Sequence, residues 1–270
     1  MASCRYRDDV LLVRTNGLEV AHVRRGDGPP LVLVHGAAED HRSWRFQLDD
    51  WAEVATVIAW DEPGCGRSSD PPDGLDLSGL ARALAALVET VGRAHVLGFS
   101  WGGTIVLELW RQRPDLVASL VLADTYAGWR GSLPAQEVEA RVTAVTAALD
   151  AEDPDLSVAG LFAGPPPSQA VALLAEMSAD ARPATMRRTL ALMASADLSD
   201  VLPTIDAPTL LLWGEHDLRS PRSVAHVFEK AIPGARLEVL AGAGHAAHLE
   251  RPADFTAAVR GWVNAQSVPG

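Results

Sequence analysis

In "HVLGFSWGG", residues 95–103, a single serine stands between two glycines where an apolar run gives way to a helix-period stretch. A serine hydroxyl is a weak nucleophile until a base takes its proton. Its chemistry therefore needs a histidine and a group that orients that histidine. Gly98, Ser100 and Gly102 complete G-x-S-x-G between a predicted strand and a predicted helix, the context of a nucleophile elbow. Among eight histidines, His245 in "AGAGHAAHLERP" follows the last predicted strand in a glycine-rich loop, from which an imidazole can turn toward the sheet's carboxyl edge. His248, three residues on, reads as a surface or packing residue that begins the final helical region. For the orienting acid, Asp217 in "LLLWGEHDLRSP" lies just beyond an apolar strand, where sites of α/β proteins gather. Asp124 in "LVLADT" and Glu215 stand close enough in pattern to be rivals. A phosphate-binding loop is excluded, because neither G-x-G-x-x-G nor G-x-x-x-x-G-K-[ST] occurs.

These residues need a scaffold, and the chain spells one out. "LEVAHVRR", "PPLVLVHG", "ATVIAWDEPG", "AHVLGFS" and "ASLVLADT" read as strands, the middle ones apolar enough for burial on both faces. "LSGLARALAALVETV" and "WGGTIVLELWRQ" carry helix-period apolar residues between them, which is the rhythm of a parallel sheet with covering helices. From 128 to 201 the pattern turns helical, with "AQEVEARVTAVTAAL", "SQAVALLAEM" and "ATMRRTLALM" punctuated by "AEDPD" and "AGPPPS". "APTLLLWGEHD" and "ARLEVLAG" restore the strands, and "PRSVAHVFEKAI" and "PADFTAAVRGWV" supply two more helices. The expected organisation is an α/β core in residues 1–127 and 202–270, with a helical insertion at 128–201.

Composition narrows the chemistry further. A formal charge of −12 with no basic block argues against nucleic acid or an anionic membrane surface as partner. No apolar run reaches the roughly 18 to 20 residues of a membrane-spanning helix. The N-terminal "VLLV" is too short for the core of an export signal, so the expected location is cytoplasmic. Cys4 and Cys65 are far apart and no Cys/His spacing suits a metal; neither a disulfide, a metal nor a cofactor is expected. Trp44 and Trp129 are expected near the mouth of an apolar pocket, and Phe162 among the lining residues of the helical insertion.

"HGAAEDHRSW", "DEPGCGRSSDP", "GFSWGG", "GEHDLRSP" and "GHAAHLERP" occur in the order nucleophile, acid, histidine, and by these motifs the chain resembles the α/β-hydrolase superfamily over nearly its whole length. The resemblance implies an α/β-hydrolase fold with a mostly parallel central sheet, flanking helices and a helical cap. It implies Ser100 as nucleophile, Asp217 as acid and His245 as base, with the backbone N–H groups of Ala37 and Trp101 as oxyanion hole and their side chains free to line the pocket. Each such donor is typically worth about 3 kcal/mol in the transition state. It further implies that His35 and Asp61 shape the oxyanion loop and the turn after the neighbouring strand. Cys65 stands where the family often has another residue, and nothing in the sequence interprets it.

The serine sets the chain apart from haloalkane dehalogenases and typical epoxide hydrolases, which resemblance would give an aspartate. The implied reaction is cleavage of a small, mainly apolar ester or lactone through an acyl-enzyme. Similarity to 3-oxoadipate enol-lactonases covers only the stretch between "LVLADT" and the insertion. A C–C bond hydrolase usually reads G-N-S-x-G, from which Phe99 departs, and a cofactor-free perhydrolase usually has methionine where Trp101 stands. A ligand-binding receptor on the same fold is the reading of another class.

Overall fold

Apolar runs separated by turn residues form one eight-stranded sheet in the computed structural model, which describes residues 9 to 151 and 160 to 267. Its strands are β1 (Val10–Thr15), β2 (Leu18–Arg25), β3 (Pro30–Val34), β4 (Thr56–Trp60), β5 (Ala94–Phe99), β6 (Val117–Ala123), β7 (Thr209–Gly214) and β8 (Arg236–Leu240). They pair in the order β1-β2-β4-β3-β5-β6-β7-β8. The β1–β2 and β2–β4 pairings are antiparallel, and all the others are parallel. This is the α/β-hydrolase fold, with the sequence-predicted strands in place. The strand reading began at residue 18, so β1 is an addition to it. Asn16 and Gly17, both at positive φ, make the two-residue turn that joins β1 to β2, a hairpin signal that "TNG" carries in the sequence.

Both faces of the central strands are covered. Every residue of β4, β5 and β7 is buried, which explains their continuous apolar composition. One face packs against α2 (Leu77–Glu89), α3 (Trp101–Gln112) and α7 (Arg222–Ala231), and the other against α1 (Leu48–Ala52) and α9 (Pro252–Ser267). The Asp76 carboxylate caps α2 by accepting from Gly79 N at 2.7 Å. A four-residue helix, α8 (Ala247–Glu250), follows the loop after β8. Cys4 lies outside the described residues, and among those residues no helix is long and apolar enough to cross a membrane.

Between β6 and β7 run α4 (Ala135–Asp150), α5 (Ser168–Ala179) and α6 (Pro183–Ser195). They meet the core through a buried apolar cluster, in which Ala170, Leu173 and Met177 of α5 pack against Ala246 and Leu249, and through polar contacts with loops that leave β3 and β4. Arg42 pairs with Asp180 at 2.7 Å and Arg45 with Glu176 at 2.7 Å. Arg182 donates to Gly66 O and Ser68 O, and Thr185 Oγ1 donates to Gly64 O at 3.1 Å. Arg188 Nη2 donates to Pro63 O at 2.7 Å.

α4 has no buried residue, whereas α3 buries ten. Few buried apolar contacts mean a low free energy of local opening. In native-state hydrogen exchange, the amides of α4 are expected to exchange at least about 100-fold faster than the central amides of α3. Equal protection of the two helices would contradict this reading of the packing.

Candidate active site

Ser100 is the link between β5 and α3, with φ 51° and ψ −120°. A non-glycine residue held at such angles costs of order 1–3 kcal/mol and persists only where its surroundings dictate it. Here Ser100 N donates to Ala123 O at 2.9 Å, and Ser100 O accepts from Gly103 N at 3.0 Å and from Thr125 Oγ1 at 2.6 Å. The flanking glycines are steric necessities. A Cβ on Gly98 would lie 2.6 Å from Gly103 Cα, and one on Gly102 would overlap Val34 O and lie 2.5 Å from His35 O.

Ser100 Oγ is 2.9 Å from His245 Nε2, and His245 Nδ1 is 2.8 Å from Asp217 Oδ2. The Asp217 carboxylate fixes the proton on Nδ1, so Nε2 is free to accept from the serine hydroxyl. Asp217 Oδ1 accepts from the backbone N–H groups of Arg219 (2.7 Å) and Ser220 (2.9 Å). Imidazole and carboxylate are both nearly sealed from solvent, with His245 2% exposed. The rival acids are engaged elsewhere. Asp124 Oδ1 accepts from Gly214 N at 2.8 Å, and Glu215 Oε2 accepts from Gly242 N at 2.9 Å. The His245 loop presses so tightly on β7 that a Cβ on Gly214 would overlap Gly244 O.

Among the turns, loops and caps of the described residues, the N–H groups of Ala37 and Trp101 donate to no backbone acceptor. The loop that carries Ala37 is held by side chains that sequence reading passed over. Glu39 Oε2 accepts from Gly36 N at 3.0 Å and from Ser43 Oγ at 2.8 Å, and Ser43 Oγ lies 3.0 Å from His248 Nε2. His248 is fully buried, a packing residue and not a surface one, with its ring 4.4 Å from that of Phe99 and 5.2 Å from that of Trp44. Burial pushes the Glu39 carboxyl above its usual range and the His248 imidazole down to about 3. His35 Nδ1 donates to Gly36 O at 2.8 Å while its Nε2 accepts from Glu62 N at 3.0 Å. Asp61 accepts from the backbone and ring of His41 and from Arg67 N, and so closes the turn after β4. The only sequence signal for Glu39 and Ser43 was their place in "HGAAEDHRSW", because no periodicity marks a buried polar chain.

Two expectations about side chains need correction. The Trp101 indole does not line a pocket; it is fully buried and donates from Nε1 to Glu62 Oε2 at 2.9 Å. Trp44 is also fully buried, packed among Trp51, Phe99, His248 and Phe255 on the α1/α9 side of the sheet, because its large apolar ring completes that core. Trp129 is buried beneath the Arg141 guanidinium, 5.6 Å from its ring centre. Phe162 is half-buried, and its backbone borders Gly244 in the His245 loop. Cys65 shares a small cavity with Ala38, Glu39, Met177, Thr185 and Met186, and burial raises its thiol well above the ordinary range. Among the described residues, Asp40, His41 and Asp61 place ligand-type atoms within 4.8 Å of one another. Those atoms are already engaged, Asp61 as above and Asp40 with Arg42 N and its guanidinium.

A model of the alpha/beta hydrolase family matches residues 31–259. Among curated relatives, a provisionally named carbamate hydrolase, RutD, of Pseudomonas savastanoi pv. phaseolicola is 30% identical over 263 residues, which cover 92% of this chain and 99% of that one. Among solved structures, a thermophilic esterase from Thermogutta terrifontis has a TM-score of 0.84 at 26% identity, with 96% and 99% of the two chains covered. An esterase from Exiguobacterium antarcticum has a TM-score of 0.84 at 26% identity, with 92% and 97% covered.

The buried, neutral His248 ties stability to pH. Its folded value near 3 lies below the ordinary imidazole value of 6.5, so between these pH values the unfolded chain binds a proton that the folded chain refuses. Stability from this residue is therefore complete above 6.5 and is lost as pH falls toward 3. Between pH 7 and pH 5 the loss is about 2 kcal/mol. Denaturant unfolding of His248→Gln, which keeps a donor toward Ser43, is expected to lose about 2 kcal/mol less than the wild type over that interval. An identical pH dependence in both proteins would contradict it.

Proposed function

The chain belongs to the alpha/beta hydrolase family, and from that premise we propose that it is a serine hydrolase of small, mainly apolar carboxylic esters or lactones. The observation that carries this reading is the continuous hydrogen-bonded line from Ser100 Oγ through His245 to Asp217, set at the strained turn between β5 and α3. The esterase structures, similar over nearly the whole chain, support the ester class. In the proposed reaction Ser100 Oγ attacks the carbonyl carbon as its proton passes to His245 Nε2. Asp217 stabilises the imidazolium, and the N–H groups of Ala37 and Trp101 donate to the developing oxyanion. The imidazolium then protonates the leaving alcohol, which departs as the acyl-enzyme forms. Water, deprotonated by His245, attacks that acyl group; the carboxylic acid leaves and Ser100 recovers its proton.

In the same proposal residues 128–201 act as a cap that selects substrate and contributes nothing to proton transfer. Trp129 and Phe162 are its candidate selective residues. The insertion's contacts with the loops after β3 and β4, and the hydrogen bond from Ala246 N to Leu161 O at 2.7 Å, support that role.

The test is a panel of p-nitrophenyl esters of increasing acyl length, lactones and carbamates. Ser100→Ala is expected to lower kcat by about 10³-fold or more, and Asp217→Asn by about 10³ to 10⁴-fold by fixing the wrong imidazole tautomer. A fluorophosphonate should label Ser100 alone, as read by mass spectrometry. Turnover unchanged in Ser100→Ala, or a label elsewhere, would sink the assignment. Trp129→Ala and Phe162→Ala should alter the ratio of kcat/KM between esters and leave the acid limb of the pH profile in place. A uniform loss with a displaced limb would put them in the catalytic machinery instead.

A further inference from the structure

Asp124 is a buried titratable group that the proposed reaction does not use, and its placement is unusual. It follows β6 directly and is one of four non-glycine residues at positive φ among the described residues, at 46°. Asp124 N donates to Leu212 O at 3.0 Å, and the turn sends the carboxyl group across to β7. There Oδ1 accepts from Gly214 N at 2.8 Å, while Oδ2 is buried without a hydrogen-bond donor. The residue has no exposed surface, and its carboxyl group lies within hydrogen-bonding reach of that of Asp217.

Two carboxyl groups in contact in a buried space cannot both stay ionised; one proton is shared between them. Three donors fix its location. Asp217 accepts from Arg219 N, Ser220 N and His245 Nδ1, all of which favour its charged form. Asp124 accepts from Gly214 N alone. Burial first, and the Asp217 charge second, push the Asp124 carboxyl well above its usual range. The unpartnered Oδ2 then has a role as an O–H donor.

We infer that Asp124 is a positioning residue for the hydrolysis proposed above, on which this inference rests: as a neutral carboxylic acid it donates a hydrogen bond to Asp217. The donated bond fixes the rotation of the Asp217 carboxylate and draws off part of its charge. This matters for the base. An ionised Asp124 would place a second negative charge behind His245 and hold the imidazolium, so that Nε2 would keep its proton when Ser100 needs an acceptor. The other charged and titratable groups near this line are Arg219 and Tyr126 beside Asp217, and Glu39 and His248 beside His245.

The experiment compares Asp124→Asn with Asp124→Ala in p-nitrophenyl ester hydrolysis across pH, alongside infrared spectra of wild type and Asp124→Asn. Asparagine retains an N–H donor and tolerates positive φ. It is expected to hold kcat/KM within about threefold and to leave the acid limb unmoved. Alanine removes the donor; kcat should fall about tenfold at unchanged KM, with the acid limb displaced to higher pH because Asp217 grips the imidazolium harder. The wild type should show the carbonyl band of a protonated carboxylic acid at mildly alkaline pH, and Asp124→Asn should lack it. The inference is overturned by a downward shift of the acid limb in Asp124→Asn, which would mean a charge had been removed, or by identical infrared bands in the two proteins. A loss in Asp124→Asn as large as that in Asp217→Asn would also overturn it. The infrared comparison needs no turnover, so it stands even where Asp124→Ala fails to fold. The wider reading fails separately, if Ser100→Ala remains active.

Discussion

Close approach of backbone to backbone at the end of β5 is the constraint on which the site depends. Ser100 can project its hydroxyl only because the chain reverses from strand to helix within one residue. That reversal brings α3 against the ends of β5 and β3. The strain at Ser100 is held in place by hydrogen bonds to Ala123 O and from Gly103 N and Thr125 Oγ1, so adjacent strands fix the angle of the serine. With the serine fixed, the loops after β3, β7 and β8 have a common point to converge on.

Around this turn the molecule buries an unusual set of polar groups. Glu39, Glu62, Asp124, Asp217, His245 and His248 are all buried, and burial disfavours charge unless donors compensate. The compensation is uneven, and the unevenness sets the chemistry. Asp217 has two backbone donors and an imidazole. Burial raises the carboxyls of Glu39 and Glu62 and lowers His248. Glu62 is tied to Trp101 Nε1, and Glu39 to Gly36 N. Glu39 thereby holds the backbone of the loop that carries Ala37, and Glu62 holds the Trp101 side chain next to Ser100.

The helical insertion is attached differently. Beside the apolar patch of Ala170, Leu173 and Met177 against Ala246 and Leu249, its contacts are ion pairs and side-chain bonds to backbone carbonyls, and exposed ion pairs contribute little each.

The strand order of chemistry was legible in the sequence. Apolar runs long enough for buried strands, G-x-S-x-G at the strand-to-helix turn, and Asp217 and His245 after the last two strands all follow from local pattern, because local pattern is what a parallel sheet imposes on each strand and its following loop. Other features were not legible. Trp44 reads as a mouth residue until the α1/α9 core closes over it, and Trp101 reads as pocket lining until Glu62 accepts its indole N–H. His248 and His245 lie three residues apart in similar local sequence, yet one faces Ser100 Oγ and the other Ser43 Oγ. The sequence put Asp217 ahead of Asp124, both of which follow an apolar strand, and showed the partners of neither. Only the tertiary structure gave each its partner, since hydrogen-bond partners and desolvation come from chain distant in sequence: Asp217 meets His245 across 28 residues and Asp124 meets Gly214 across 90.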